Sequence, residues 1–332
     1  MIINGDCKEI LKTLESNSIN CCVTSPPYYG LRDYGVEGQI GLENTPQEYI
    51  DKLVMVFREV KRVLRDDGTL WVNIADTYCS TAPGTKGDSH FIKECKQATR
   101  DARKKYRVQT PKKMKPKDLM GIPWMLAFAL RDDGWYLRQD IIWHKPNPMP
   151  ESVKDRCTKA HEYIFLLSKS RRYYFDHEAI KEPCVGFNND PPAGSLGTFK
   201  PNTRRRKGNN KTFRGGGAYT NNQSFNNHTD AQNTSVGNKP NETGLKNKRS
   251  VWTVGTRGYK GAHFATFPPD LIKPCILAGC PENGTVLDPF SGSGTTGEVA
   301  EQSKRKYVGI ELNPQYCELQ EDRLQYCGEV HI

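Results

Sequence analysis

The sequence predicts an α/β protein with a mostly parallel, doubly wound sheet. Two observations carry this. Short apolar strand-like runs alternate with amphipathic helical runs along most of the chain, the pattern of βα units. Late in the chain, Thr285–Phe290 leads through the glycine turn Ser291-Gly292-Ser293-Gly294 into a helical run, so a strand, a tight loop and a helix N-terminus follow one another.

The elements follow in order. Met1–Ile3 reads as a stub strand ending at Asn4-Gly5-Asp6, and a helix with Ile10, Leu11 and Leu14 on one face comes next. Ile19–Val23 is a short buried strand that ends in Thr24-Ser25-Pro26-Pro27-Tyr28-Tyr29. Pro46 opens a helix over 46–65, in which Ile50, Leu53, Val54, Phe57, Val60, Val63 and Leu64 keep helical spacing. Asp66-Asp67-Gly68 is expected to stop it, with Thr69–Ile74 as the next strand. A helix around 120–131 and strands at Tyr136–Trp143 and Glu162–Ser168 resume the rhythm. Leu271–Leu277 is helix-like, and Thr295–Gln302, Tyr307–Glu311 and Pro314–Leu324 read as helix, strand and closing helix.

With 332 residues the chain is long enough to bury a substantial core. Its net charge of +10 is concentrated in two segments. Residues 96–117 hold ten Lys/Arg against Asp101, and residues 201–250 hold ten against Asp230 and Glu242, which leaves a mildly acidic body. That distribution predicts a globular enzyme with added polyanion contacts. The insertion at about 80–117 is expected as a surface arm. Span 201–250, with eleven asparagines and almost no aliphatic residues, has too little apolar surface for its own core. Its Arg204-Arg205-Arg206-Lys207 cluster, interleaved with Phe213, Tyr219 and Phe225, points to a recognition segment. The eleven cysteines include no C-x-x-C pair and lie partly in apolar runs, so reduced thiols in the cytoplasm are expected, with no metal site, signal peptide or membrane span.

The chemistry is sought at the two turns. Consecutive prolines fix φ and remove two backbone donors, so Pro26-Pro27 offers carbonyls in a rigid arc, with the Ser25 hydroxyl before it and the Tyr28 ring after it. Such a surface suits a planar heterocycle bearing an amino group. The glycine turn suits a nucleotide-like ligand, and Glu311, closing the next strand, stands where an acid takes a ribose hydroxyl pair. Gly292-x-Gly294-x-x-Gly297 also satisfies a dinucleotide fingerprint, so an NAD enzyme is the rival reading of the loop alone. Asp288 favours a ligand with an ammonium group, and S-adenosylmethionine has both a ribose and an α-amino group.

Taken together, Ser25-Pro26-Pro27-Tyr28 and Asp288-Pro289-Phe290-Ser291-Gly292-Ser293-Gly294 resemble the DNA amino-methyltransferases, which methylate cytosine N4 or adenine N6. The proline stretch precedes the cofactor loop, the circularly permuted order of the family's β class. Asn4-Gly5-Asp6, Trp143-His144-Lys145-Pro146-Asn147 and His263-Phe264-Ala265-Thr266-Phe267-Pro268 extend the resemblance. It implies a Rossmann-like methyltransferase fold in three parts. These are a catalytic half at 1–177, a target-recognition region at 178–255 and an S-adenosylmethionine-binding half at 256–332. It implies catalytic roles for Ser25, Pro26, Pro27 and Tyr28. Asp6, Thr266, Phe267, Asp288, Phe290, Ser291, Gly292, Gly294, Thr295 and Glu311 would bind the cofactor. Arg32, Lys104, Lys105, Lys145, Arg204, Arg205, Arg206 and Lys207 are the expected contacts to double-stranded DNA. A homodimer and a cognate restriction endonuclease are the further partners to be tested.

Serine at the first motif position leans within the family to cytosine N4, with adenine N6 as the alternative base. An RNA or protein-amide methyltransferase and a catalytically silent DNA-binding module are the competing classes. Pro183-Cys184 and Pro274-Cys275 are read as structural, because neither closes a strand beside the cofactor loop as a carbon-5 nucleophile would. Trp143 divides evenly between core and base pocket, and His144, His161 and His263 are read as ordinary hydrogen-bonding residues.

Overall fold

The computed structural model describes residues 1–31, 33, 35–79, 114–183, 244–256 and 267–328, with side chains to residue 324. Arg32, Tyr34, Lys104, Lys105, Arg204, Arg205, Arg206, Lys207, His263 and Thr266 lie outside the described residues, as do most of both basic segments. The chain divides into two compact units, 1–180 with 249–332, and 181–248.

The larger unit is built on one eight-stranded sheet. Its strands are β1 (Ile2–Asn4), β2 (Ile19–Thr24), β3 (Leu64–Ile74), β4 (Tyr136–His144), β5 (His161–Ser168), β8 (Val251–Thr253), β9 (Thr285–Asp288) and β10 (Lys306–Glu311), in the order β1-β10-β9-β2-β3-β5-β4-β8. Every pairing is parallel except those of β5, which runs antiparallel to β3 and β4. The last residues of span 178–255 thus return to the sheet as β8, a strand too short for a period-2 pattern in the sequence. In the smaller unit, β6 (Glu182–Pro183) pairs antiparallel with β7 (Leu245–Lys246).

Helices α1 (Cys7–Thr13), α2 (Pro46–Val63), α3 (Ile122–Asp132), α4 (Pro269–Gly279), α5 (Thr295–Gln302) and α6 (Pro314–Gly328) complete the unit. The sheet has a core on each face, and β2 shows how one strand serves both. Cys22 packs with α1, α2 and α3, while Cys21 and Val23 pack with α4 and α5. Side chains alternate along a strand, so a strand covered on both faces must be apolar at successive positions. Ile19-Asn20-Cys21-Cys22-Val23 meets that demand at all but Asn20.

The local chemistry of α2 explains its length. Thr45 caps it by accepting from Glu48 N at 3.2 Å, Pro46 occupies the first turn, and Leu53, Phe57 and Val60 are fully buried. Asp66-Asp67-Gly68 does not separate helix from strand as expected. Leu64 already pairs with Ile19, and residues 65–68 bulge out before Thr69 rejoins opposite Cys21. At the other end of β3, Asp76 accepts from the backbone N–H groups of Gly121 and Ile122 at 3.0 and 3.1 Å and so caps α3 from a distance.

The topology fixes where a ligand binds. From β2 the chain crosses through α2 to β3 on one side, and from β9 it crosses through α5 to β10 on the other. The carboxyl ends of β2 and β9 are therefore neighbours at a switch point, where open α/β sheets bind ligands.

Candidate active site

The two turns predicted to carry chemistry leave these adjacent strand ends. They are pinned together by Asp288, which is only 2% exposed. Its Oδ1 accepts from the Thr24 hydroxyl at 2.6 Å and from Phe290 N at 3.1 Å, and its Oδ2 accepts from the Thr296 hydroxyl at 2.7 Å. Burial raises its pKa from 3.8 to about 6, against the opposing effect of those three donors. Both oxygens are already engaged, and the residue ties β2, β9 and α5 into one rigid corner.

Beyond that corner the glycine turn is shaped by backbone geometry. Gly292 and Gly294 have φ of 52° and 78°. A Cβ on Gly294 would lie 2.8 Å from Gln320 Cγ, so α6 packs where only glycine leaves room. The Gln320 amide also holds the turn from α6, because its Nε2 donates to Ser291 Oγ at 2.8 Å and to the Gly292 carbonyl at 2.9 Å. Glu311, at the end of β10, accepts from Gly292 N and Asn313 N, both at 2.8 Å, one on each carboxylate oxygen. Burial pushes its pKa up while these amides pull it down.

These groups line a cleft enclosing about 1110 Å³, open solvent at its mouth included. Asp6, Phe267, Asp288, Phe290, Ser291, Gly292, Thr295 and Glu311 line it, and so do Ser25, Pro26, Pro27 and Tyr28. Asp6 caps α1, accepting from Lys8 N at 2.9 Å, and its other oxygen lies 3.1 Å from Lys8 Nζ. Of the described residues predicted for the site, Gly294 shapes the turn from behind and Lys145 stands apart.

On the proline side, the Pro27 carbonyl accepts from the Tyr49 hydroxyl of α2 at 2.8 Å. Ser25 Oγ donates to the Tyr28 hydroxyl oxygen at 3.5 Å. The Tyr28 hydroxyl lies 2.7 Å from Glu162 Oε2 and 3.1 Å from Asn73 Oδ1. Its pKa is pushed well up, by burial first and then by the charge of Glu162. Lys145 pairs with Glu162 and lies 4.2 Å from the centre of the Trp143 ring. Its ammonium is turned inward to this largely buried carboxylate. Trp143 belongs to the core, 3% exposed, with its indole N–H donating to the Val254 carbonyl at 2.8 Å. Cys275 is likewise fully buried, on α4.

Local sequence patterns do not single out Glu162, Asn73, Tyr49, Thr24 or Thr296. Glu162, Asn73, Tyr49 and Thr24 each sit inside or beside an apolar run, where they read as interruptions of the strand or helix pattern, and Thr296 lies among small and polar residues just after the glycine turn. A polar residue in a run expected to be buried is the signal that could have found Asn73 and Thr24. Val36, Gly38, Gln39 and Ile40 also line the cleft, from a loop whose contacts no local pattern announces.

The donors and shape fit a nucleoside carrying an amino-acid arm. Glu311 keeps lone pairs beyond the two amides it accepts, the glycine turn brings backbone close, and Phe290, Ile310, Ile40 and Tyr316 give apolar walls. The model of the DNA methylase family, which joins N6 and N4 methyltransferases, matches residues 19–322, and the chain belongs to this family. The Type II methyltransferase M.XycI of Xanthomonas campestris pv. cyanopsidis is 46% identical over 324 residues, covering 98% of this chain and 87% of that protein. The Type II methyltransferase M.SmaI of Serratia marcescens is 45% identical over 323 residues, covering 97% and 90%. Among solved structures, the PvuII DNA methyltransferase (cytosine-N4-specific) shares the fold at a TM-score of 0.58 and 18% identity, over 99% of this chain and 90% of that one. A putative DNA modification methylase of Thermus thermophilus, complexed with S-adenosyl-L-methionine, does so at 0.55 and 21%, over 98% and 95%. Among the described residues no helix is long and apolar enough to cross a membrane.

Proposed function

We propose that this protein transfers a methyl group from S-adenosylmethionine to the exocyclic amine of cytosine, at N4, in double-stranded DNA. The observation that carries the reading is the single cleft lined at once by Ser25-Pro26-Pro27-Tyr28 and by the glycine turn with Glu311.

Glu311 would accept from the ribose hydroxyls, the backbone of Ser291–Gly294 would hold the amino-acid arm, and Asp6, Phe290 and Phe267 would flank the purine and methionine portions. When bound, S-adenosylmethionine supplies an electrophilic methyl group. The chain's own task is to raise the nucleophilicity of an amine whose lone pair is delocalised into its ring. Ser25 directs its proton toward Tyr28, which leaves its lone pairs to accept from one amine N–H, and the Pro26 carbonyl would accept the other. Two such acceptors draw the nitrogen toward tetrahedral geometry. Tyr28 would stack on the base, which must leave the duplex to enter a cleft of this depth. Rate then comes from positioning and fixed dipoles, and no covalent enzyme intermediate is required. Serine at the first motif position supports cytosine over adenine. The basic segments support DNA as the substrate, with binding that falls steeply with salt.

The test is to incubate the purified protein with labelled S-adenosylmethionine and unmethylated duplex DNA, digest the product to nucleosides and weigh them. N4-methylcytosine is expected. N6-methyladenine alone would overturn the choice of base, and label in RNA or protein but not in DNA would overturn the substrate class.

A further inference from the structure

We infer that Glu162, with Lys145 as its counter-ion, is a positioning residue for methyl transfer that acts by holding Tyr28 through its hydroxyl. The inference rests on the proposed function above and concerns groups outside the lining of the cleft.

Glu162 stands near the start of β5, opposite Trp143 of β4, and reaches toward Asn73 on the neighbouring β3. Its side chain is 12% exposed and that of Lys145 is 18% exposed. A carboxylate so nearly buried needs its lone pairs filled. Oε1 pairs with the Lys145 ammonium, and Oε2 accepts from the Tyr28 hydroxyl at 2.7 Å and from Asn73 Nδ2 at 3.3 Å. Lys145 is in turn held over the Trp143 ring, whose indole is fixed to Val254. A continuous set of contacts thus runs from the rigid sheet to the Tyr28 ring, whose hydroxyl lies 3.5 Å from Ser25 Oγ.

Stability alone does not account for this arrangement. A well-packed apolar pair commonly replaces a buried ion pair without loss of stability, and a phenylalanine would fill the space of the Tyr28 ring. The hydroxyl is what links the ring to Glu162. That link fixes the ring plane, and it orients the phenol oxygen that receives the Ser25 proton, 3.5 Å away. Losing the anchor frees both the stacking face and the hydroxyl of Ser25, which matters because small misplacements of reacting groups have large effects on rate.

The experiment measures single-turnover methyl transfer by the full chain to unmethylated duplex DNA, with S-adenosylmethionine affinity measured in parallel by calorimetry. Glu162→Ala and Tyr28→Phe are each expected to slow the single-turnover rate about tenfold or more, with cofactor Kd within about twofold of wild type. The double variant should be no slower than the slower single variant, because both changes break the same link. Glu162→Gln, which keeps an oxygen for the Tyr28 hydroxyl, should recover much of the rate. If Glu162→Ala fails to fold, the apolar pair Lys145→Met with Glu162→Met tests the same loss without stranding a charge. A wild-type rate in Glu162→Ala or in the Met pair, or rate losses that multiply in the double variant, would overturn the inference. Absence of methyl transfer by the wild-type protein would overturn the functional reading instead.

Discussion

Replacing Asp288 by asparagine should flatten one component of the pH dependence of stability. Asp288 is buried, and its pKa stands at about 6 in the folded protein against an ordinary value of 3.8. The folded state therefore holds this proton more tightly than the unfolded chain does. Between the two values the folded state binds more protons, so stability falls as pH rises. The contribution is fully present below the unfolded value near 3.8 and is lost as pH climbs through about 6. Each pKa unit corresponds to about 1.4 kcal/mol, and most of the difference falls between pH 4.5 and 7, or about 2 kcal/mol. Asparagine keeps the shape and retains one acceptor oxygen, and the Thr24 and Thr296 hydroxyls can rotate to suit it. Urea unfolding of wild type and Asp288→Asn across pH 4.5–7 gives the difference directly, because all other titrating groups are common to both. Wild type should lose about 2 kcal/mol relative to the variant over that range. Parallel stability curves would refute the account of a carboxylate held against the cost of burial.

Tyr49→Phe removes the donor to the Pro27 carbonyl and should cost about 0.5–1.5 kcal/mol in urea unfolding, with a reduced methyl-transfer rate as the proline turn loosens. Gly294→Ala forces a side chain onto a residue at φ 78° and against Gln320, so calorimetry should show weaker S-adenosylmethionine binding together with a lower Tm. Glu311→Gln turns one carboxylate acceptor into an N–H donor facing a backbone N–H, and cofactor affinity should drop about tenfold with little change in DNA binding by fluorescence anisotropy. Ser25→Ala should cut methyl transfer while leaving cofactor Kd unchanged; full activity would remove Ser25 from the chemistry.

Much of the architecture is legible in the sequence because its rules are local. Pro46 and the apolar spacing of α2 mark a helix without reference to anything else, and the apolar run of β2 marks a buried strand. The glycine turn and the double proline are local as well, since each restricts the backbone of its own few residues. Those two turns are sufficient to point to the chemistry. The sequence alone could not show β8, whose three residues gain their conformation from pairing with β4, or the continuation of α2 into β3 through a bulge.

What the tertiary structure decided was the use of the charged and polar residues inside that frame. Asp288 and Lys145 both stand beside recognisable motifs and invite roles toward ligand and DNA. Their partners lie far along the chain: Thr24 is 264 residues from Asp288, and Glu162 reaches Tyr28 across 134. A carboxylate or ammonium is directed by whichever opposite group the fold brings within hydrogen-bond reach, and no local pattern encodes that. The sequence by itself determined the strand, turn and helix units and the chemistry that their turns can support. Only the packing of β2 against β9 and of β5 against β3 decided which side chains face the cleft and which hold the others in place.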